Sequence, residues 1–227
     1  MFLNLSTIDS FVVLATHPDD EALGCSGTIM LLNERGADSL VVYLTRGEKM
    51  YGTSSPDIAA RRRQEAVRSS GMLGCKEPVF LDFPDGETGE YREDIYKRLY
   101  KLLESNRPDI VFSPSPIDYH QDHTATAEIA LKLFNSLKSF KLAFYEVYST
   151  VRFSHLVDIA EKVDKKREVI MNYQTSLYGK PGVYVHATLG LNAQRSIFTQ
   201  VQGYYEAFYV LKDAVGLDDV LAWLSYR

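Results

Sequence analysis

Two short polar clusters, each placed directly after an apolar run, hold most of the side chains able to do chemistry. The first is His17-Pro18-Asp19-Asp20-Glu21, after Phe11-Val12-Val13-Leu14-Ala15. The second is His120-Gln121-Asp122-His123, after Asp109-Ile110-Val111-Phe112-Ser113 and a proline-rich turn. An imidazole and a carboxylate three residues apart, as His17 and Asp20 are, can point at one metal ion. Asp19 then stands beside the ion without ligating it, a candidate base. Helix capping is the competing reading, because an Asp pair before a helix meets the positive end of its dipole. Capping needs one carboxylate, however, and explains neither the second Asp nor His17. His120 and His123 can likewise be read as the start of a helix. The repetition of one layout at two strand ends favours a shared site, and three of the five histidines fall in these two turns.

The elements that must position these clusters follow from hydrophobic patterning. Apolar runs at residues 11–15, 39–44, 78–81, 109–113 and 141–148 read as buried strands. Between them, residues 57–73, 92–105 and 124–137 have helical patterns, and a further helix follows the first cluster through Ile29, Met30, Leu31 and Leu32. Strands alternating with helices imply an α/β fold with a mostly parallel sheet and helices on both faces. Right-handed crossovers make it Rossmann-like and doubly wound, in strand order 3-2-1-4-5. The first and fourth strands are then neighbours at the switch point, where ligands bind beyond the C-terminal strand ends. Those two strands carry the clusters. Residues 49–56 read as a loop at a substrate entrance. Further on, 159–173 and 192–202 read as helices, 183–187 as a strand and 217–224 as a short terminal helix. The expectation is one domain over residues 1–227, an α/β core in 1–150 with a C-terminal extension in 151–227.

Composition narrows the function classes. With 227 residues the chain can bury one substantial core, and its 45% hydrophobic and 24% charged content is ordinary for a globular protein. A net charge of −5 offers no basic surplus for phosphates, so a nucleic-acid partner is not expected. No run approaches the about 18 apolar residues of a transmembrane helix, and the first residues lack a signal-peptide pattern. Cys25 and Cys75 suit a reducing compartment, and a cytoplasmic location is expected. Composition leaves both a monomer and a homo-oligomer open.

The paired motifs His17-Pro18-Asp19-Asp20-Glu21 and His120-Gln121-Asp122-His123 resemble those of the LmbE-like, or PIG-L-like, zinc-dependent N-deacetylases. Thr45-Arg46-Gly47-Glu48, Arg62 with Glu65, Asp85-Gly86 and Tyr205-Glu206-Ala207-Phe208 extend the resemblance. The good matches run from residue 11 to about 130. That family removes acetyl groups from N-acetylglucosamine-containing substrates, so the resemblance implies a hydrolase acting on an N-acetylated amino sugar or its conjugate. It also implies one divalent metal on His17, Asp20 and His123. Zinc is the family's ion, and this ligand set also admits ferrous iron.

In that scheme Asp19 is the general base, and His120 stabilises the oxyanion or protonates the leaving amine. Asp122 holds a histidine in its working tautomer, unless it only caps its helix. Glu48 orients a loop or a ligand. Arg62 and Asp85 are carried over as groups that grip sugar hydroxyls or an attached anion; without the resemblance they read as a surface charge and a turn former. Tyr119 is a candidate hydrogen-bond donor to the oxyanion, at a spacing that does not clearly match the family's tyrosine. His155, His186 and the aromatic run 203–209 read as packing, with Glu206 the one member whose polarity asks for a purpose.

Two other classes compete. One is a metal-dependent amidase acting on a non-sugar or thiol-conjugate amide. The other is a non-catalytic Rossmann-like ligand-binding protein. The first turn holds His17-Pro18-Asp19-Asp20 where a dinucleotide binder carries Gly-x-Gly-x-x-Gly. Asp19 also argues for catalysis, since metal binding alone has no use for it.

Overall fold

The computed structural model describes residues 1–50 and 52–224. In chain order the elements are β1 (Ser10–Ala15), α1 (Asp20–Gly24), α2 (Ser26–Glu34), β2 (Asp38–Thr45), the hairpin strands β3 (Lys49–Met50) and β4 (Thr53–Ser54), α3 (Pro56–Leu73), β5 (Val79–Phe83), α4 (Arg92–Asn106), β6 (Ile110–Pro114), α5 (Gln121–Leu137) and β7 (Lys141–Tyr145). There follow β8 (His155–Asp158), α6 (Val163–Asn172), α7 (Pro181–Gln194), α8 (Ser196–Thr199), β9 (Tyr205–Leu211) and α9 (Leu217–Leu224).

The sheet runs β5-β2-β1-β6-β7-β9-β8. Its first five strands are parallel and stand in the expected order 3-2-1-4-5 when the five strands read from sequence are numbered along the chain. Burial on both faces explains the continuous apolar runs of β1, β2, β6 and β7, while the edge strand β5 is only partly buried. Along β1, Phe11, Val13 and Ala15 join Ile29 of α2, Val169 of α6 and Leu189 of α7 in one core. Val12 and Leu14 face the other way, toward Leu99 of α4, Leu133 of α5 and Val220 of α9. Because β1 pairs with β6, the two polar clusters emerge side by side.

The C-terminal third departs from expectation. Residues 183–187 lie in α7, not in a strand. A five-residue stretch with two valines and a tyrosine mimics a strand, but Pro181 opens a helix whose buried positions Val185, Leu189 and Asn192 follow helical spacing. The helix expected over 192–202 is cut short: α7 ends at Gln194, α8 at Thr199, and Gln200 turns left-handed at φ 58°. Strands β8 and β9 were not expected; they extend the sheet antiparallel beyond β7. β9 is buried along almost its whole length, so it shows no alternation to read. The loop expected at 49–56 contains the β3–β4 hairpin, with Tyr51 outside the described residues.

Glu206 of β9 has a clear structural purpose. Its carboxylate accepts hydrogen bonds from the backbone N–H groups of Gly27 and Thr28 at 2.8 Å each, at the start of α2, and from Thr28 Oγ1 at 2.6 Å. Lys166 Nζ of α6 reaches it at 2.6 Å, and both side chains are wholly buried. The pair ties β9, α2 and α6 together. Breaking a buried ion pair from one side leaves a charge without compensation, at a cost of about 3–5 kcal/mol. Lys166→Met is therefore expected to lose stability on that scale, read from the midpoint of urea unfolding. An unchanged midpoint would show that the pair contributes nothing net.

Candidate active site

The site is assembled at the C-terminal ends of β1, β2, β5 and β6. After β1 the chain turns sharply, and Asp20 folds back so that its Oδ2 accepts the His17 backbone N–H at 2.8 Å. This brings His17 Nδ1, His123 Nε2 and the two Asp20 oxygens close together. His17 Nδ1 lies 3.2 Å from His123 Nε2, His123 Nε2 lies 3.1 Å from Asp20 Oδ1, and His17 Nδ1 lies 3.9 Å from Asp20 Oδ2. Ligands about 2.0–2.2 Å from a tetrahedral ion stand about 3.3–3.5 Å from one another. The two contacts of His123 Nε2 come close to that spacing, while His17 and Asp20 stand farther apart, at 3.9 Å.

Charge supports the same fit. Asp19, Asp20, Asp85, Asp118 and Asp122 are all buried here, with Arg62 as the buried guanidinium among them. A cation relieves that excess of carboxylates. The same carboxylates favour a positive charge on the neighbouring imidazoles. Burial opposes charge on His17, but Asp122, Asp85 and Asp20 outweigh it and raise the ring to about 10. Burial likewise opposes charge on His123, which Asp20 and Asp118 raise to about 9. Burial alone would raise Asp20; His123 and His17 hold it at about 2. A metal entering such a site displaces the ring protons.

Among the described residues, two donor sets have all their ligand atoms within 4.8 Å of one another, His17 with His120 and His123, and His17 with Asp85 and Asp122. The second lies on the outer ring nitrogen. His17 Nε2 is 3.1 Å from Asp85 Oδ1 and 3.3 Å from Asp122 Oδ2, partners that hold a ring in place so that its other nitrogen faces the ion.

Asp19 is set apart from the triangle. Its side chain is buried, its Oδ1 has no hydrogen-bond partner, and its Oδ2 lies 3.8 Å from Arg62 Nη2. Burial raises its carboxyl to about 7, with Arg62 pulling the other way. Its backbone sits at φ 149° and ψ −19°, a region that residues with side chains rarely occupy.

The remaining expected residues are also gathered here. His120 caps α5, its Nδ1 accepting the Asp122 N–H at 3.2 Å, which places the ring proton on Nε2. Burial, then His17 and His123, lower its pKa. Asp122 tethers His17 rather than a histidine of its own cluster, and it accepts the N–H groups of Gly86 at 2.6 Å and Thr88 at 3.2 Å. Glu48 accepts from Arg46 at 3.1 Å and from the Asp85 N–H at 3.3 Å, fixing the turn after β5. Arg62 is not the surface charge that its sequence context suggests: it donates to Ser176 Oγ, Gly47 O and Pro18 O, leaving two of its five N–H donors. Asp85 is equally more than a turn former, being held between His17 and the Lys49 N–H. A cavity of about 460 Å³, lined by His17, Asp19, Arg62, Asp85, His120 and Tyr148, opens above them. Tyr119 stands at its rim, 89% exposed.

Sequence reasoning missed Asp118, Tyr148 and Ser176. Asp118 Oδ1 lies 3.0 Å from His123 Nδ1 and accepts the His120 N–H, while its Oδ2 accepts the Tyr148 N–H. An Asp two residues before His120 is an Asx-turn signal that could have found it. Tyr148 stacks on His123, ring centroids 5.5 Å apart. Removing a carboxylate behind a metal-bound histidine typically lowers affinity 10–100-fold. Asp118→Asn is expected to weaken zinc binding by about that factor in a chelator competition, and unchanged affinity would refute the assignment.

Residues 12–134 match the family model described as PIG-L, GlcNAc-PI de-N-acetylase. The diacetylchitobiose deacetylase of Thermococcus kodakarensis is 29% identical over 190 residues, covering 74% of this chain and 70% of that protein. The N,N'-diacetylchitobiose deacetylase structure from Pyrococcus horikoshii superposes with a TM-score of 0.78 at 23% identity, over 95% of this chain and 90% of the other. A 4-carboxy-2-hydroxymuconate hydratase from a Pseudomonas strain shares the fold as well, at a TM-score of 0.74 and 21% identity over 92% of this chain and 98% of the other.

Proposed function

The chain belongs to the PIG-L family of de-N-acetylases, and on that premise we propose that it hydrolyses the acetamide of an N-acetylglucosamine-type sugar or its conjugate, with residues 1–227 working as one domain. A hydratase on the same fold means that the fold alone does not dictate the reaction, so the reading rests on the site. The observation that supports it is the separation of roles in one turn: His17 and Asp20 both approach His123, while Asp19 stays buried beside them with a free oxygen.

His17, Asp20 and His123 would hold a divalent ion, which would supply a Lewis acid and a water acidified toward a pKa of about 7. Asp19, as carboxylate, takes a proton from the attacking water. The amide carbon becomes tetrahedral and its oxygen gains negative charge. His120, neutral and carrying its proton on Nε2, donates a hydrogen bond to that oxygen. Its lowered pKa suits this role better than that of a proton source. The proton gathered by Asp19 then passes to the departing nitrogen, giving a primary amine and acetate. Asp122 and Asp85 orient His17, and Asp118 orients His123. The two spare N–H donors of Arg62 face sugar hydroxyls, with Asp85 as the facing acceptor, and Tyr119 contributes at the rim. The carrier on the sugar is read by the loops around residues 49–56 and 85–92 and by the C-terminal third.

The test is a panel of N-acetylglucosaminides and sugar-free acetamides incubated with zinc- or iron-loaded protein. Primary amine and acetate are expected in equal amounts from the sugars. Release only from sugar-free amides would transfer the protein to the general amidases, and release from none would overturn the hydrolase reading.

A further inference from the structure

Asp19 occupies a backbone conformation that needs holding, and the segment that holds it lies beyond the region matched by the family. The carbonyl of Pro18 and the N–H of Asp19 belong to one rigid peptide plane. Rotating that plane changes ψ of Pro18 and φ of Asp19 together. Whatever grips the Pro18 oxygen therefore controls Asp19.

Ser176 grips it. Its hydroxyl donates to Pro18 O at 2.6 Å, while Arg62 Nη2 approaches the same oxygen at 3.4 Å. Ser176 lies between α6 and α7 and is buried. Glu65 of α3 fixes its backbone by accepting the Thr175 N–H at 2.7 Å and the Ser176 N–H at 3.2 Å. The same loop makes a second attachment three residues earlier. Tyr173 donates to Glu21 Oε1 at 2.5 Å, on the far side of Asp19 and Asp20. One loop thus pins the catalytic turn at both ends.

We propose that Ser176, braced by Glu65, is a positioning residue that fixes the Pro18–Asp19 peptide plane and so aims the Asp19 carboxylate into the cavity. This rests on the reading of Asp19 as the base. Loss of the hydroxyl removes the short bond to Pro18, and the strain at Asp19 then favours rotation of the plane. A misplacement of about 1 Å at a reacting group can cost on the order of 100-fold in rate.

The experiment compares metal-loaded Ser176→Ala with wild type in steady-state amine release, metal content and a crystal structure. The expected result is a fall in kcat of about 10- to 100-fold with KM within about threefold and full metal content. The crystal structure is expected to show Asp19 φ away from 149°. Unchanged kcat, or an Asp19 φ still near the wild-type value, would overturn the proposal. A rise in KM alone would also overturn it, since Ser176 would then act through Arg62 on substrate binding. Should Ser176→Ala fail to fold, Glu65→Gln loosens the same loop while keeping the hydroxyl, and a smaller fall in kcat at unchanged KM is expected. If wild type itself released no amine, the deacetylase reading would fail, and the Asp19 backbone in the variant would still decide the positioning role.

Discussion

Asp19→Asn is expected to lower kcat by about 100- to 10,000-fold, the range of a lost general base, while metal content stays at the wild-type level. The substitution is nearly isosteric, and it touches neither the His17–Asp20–His123 triangle nor the ring contacts of Asp85 and Asp122. Its effect on folding should be small because two consequences oppose each other. A carboxylate that burial raises to about 7 is replaced by a neutral amide, while Arg62 loses a facing charge at 3.8 Å. Amine release and metal analysis on the same preparation check both parts. Full activity in the metal-loaded variant would remove Asp19 from the reaction.

The second large effect concerns the metal. Chelation of wild type is expected to abolish amine release and to lower Tm. A ligand at about 100 times its Kd stabilises the folded state by about 2.7 kcal/mol, which for a chain of this size moves Tm by about 5–10 °C. His123→Ala removes one corner of the triangle and leaves Asp20 Oδ1 and Asp118 facing a void. It should be inactive with metal present, and its Tm should not respond to chelator. A Tm shift that persists in His123→Ala would place the ion elsewhere, with His17, Asp85 and Asp122 the first alternative.

The convergence of His17, Asp19 and Asp20 is legible in sequence because it is local. His17, Asp19 and Asp20 lie within one turn, so strand end and spacing together dictate which side chains share a point in space. The inner parallel strands are legible for a related reason, since burial on both faces leaves unbroken apolar runs. Roles that depend on distant partners are not. Asp122 sits next to His120 and His123 in sequence, yet it serves His17, because α5 turns its carboxylate toward the end of β1. Arg62 looks like part of a solvated Arg61-Arg62-Arg63 run until the α6–α7 loop and Gly47 close over it. Ser176 carries no local signal, because its partner Pro18 is 158 residues away. In the C-terminal third, α7 is misread because apolar Val183 on its exposed face blurs the helical spacing, and β9 is missed because burial along almost its whole length leaves no alternation. The signals that survive there, Pro181 at a helix start and the purpose of Glu206, become readable only with their partners in view.

The most direct test of the central division of labour is a crystal structure of the metal-loaded protein with anomalous data at the zinc edge. The ion is expected about 2.0–2.2 Å from His17 Nδ1, His123 Nε2 and a carboxylate oxygen of Asp20, with Asp19 outside its coordination and facing an open position. An ion bound at His17 Nε2 between Asp85 and Asp122, or one that takes Asp19 as a ligand, would contradict the account.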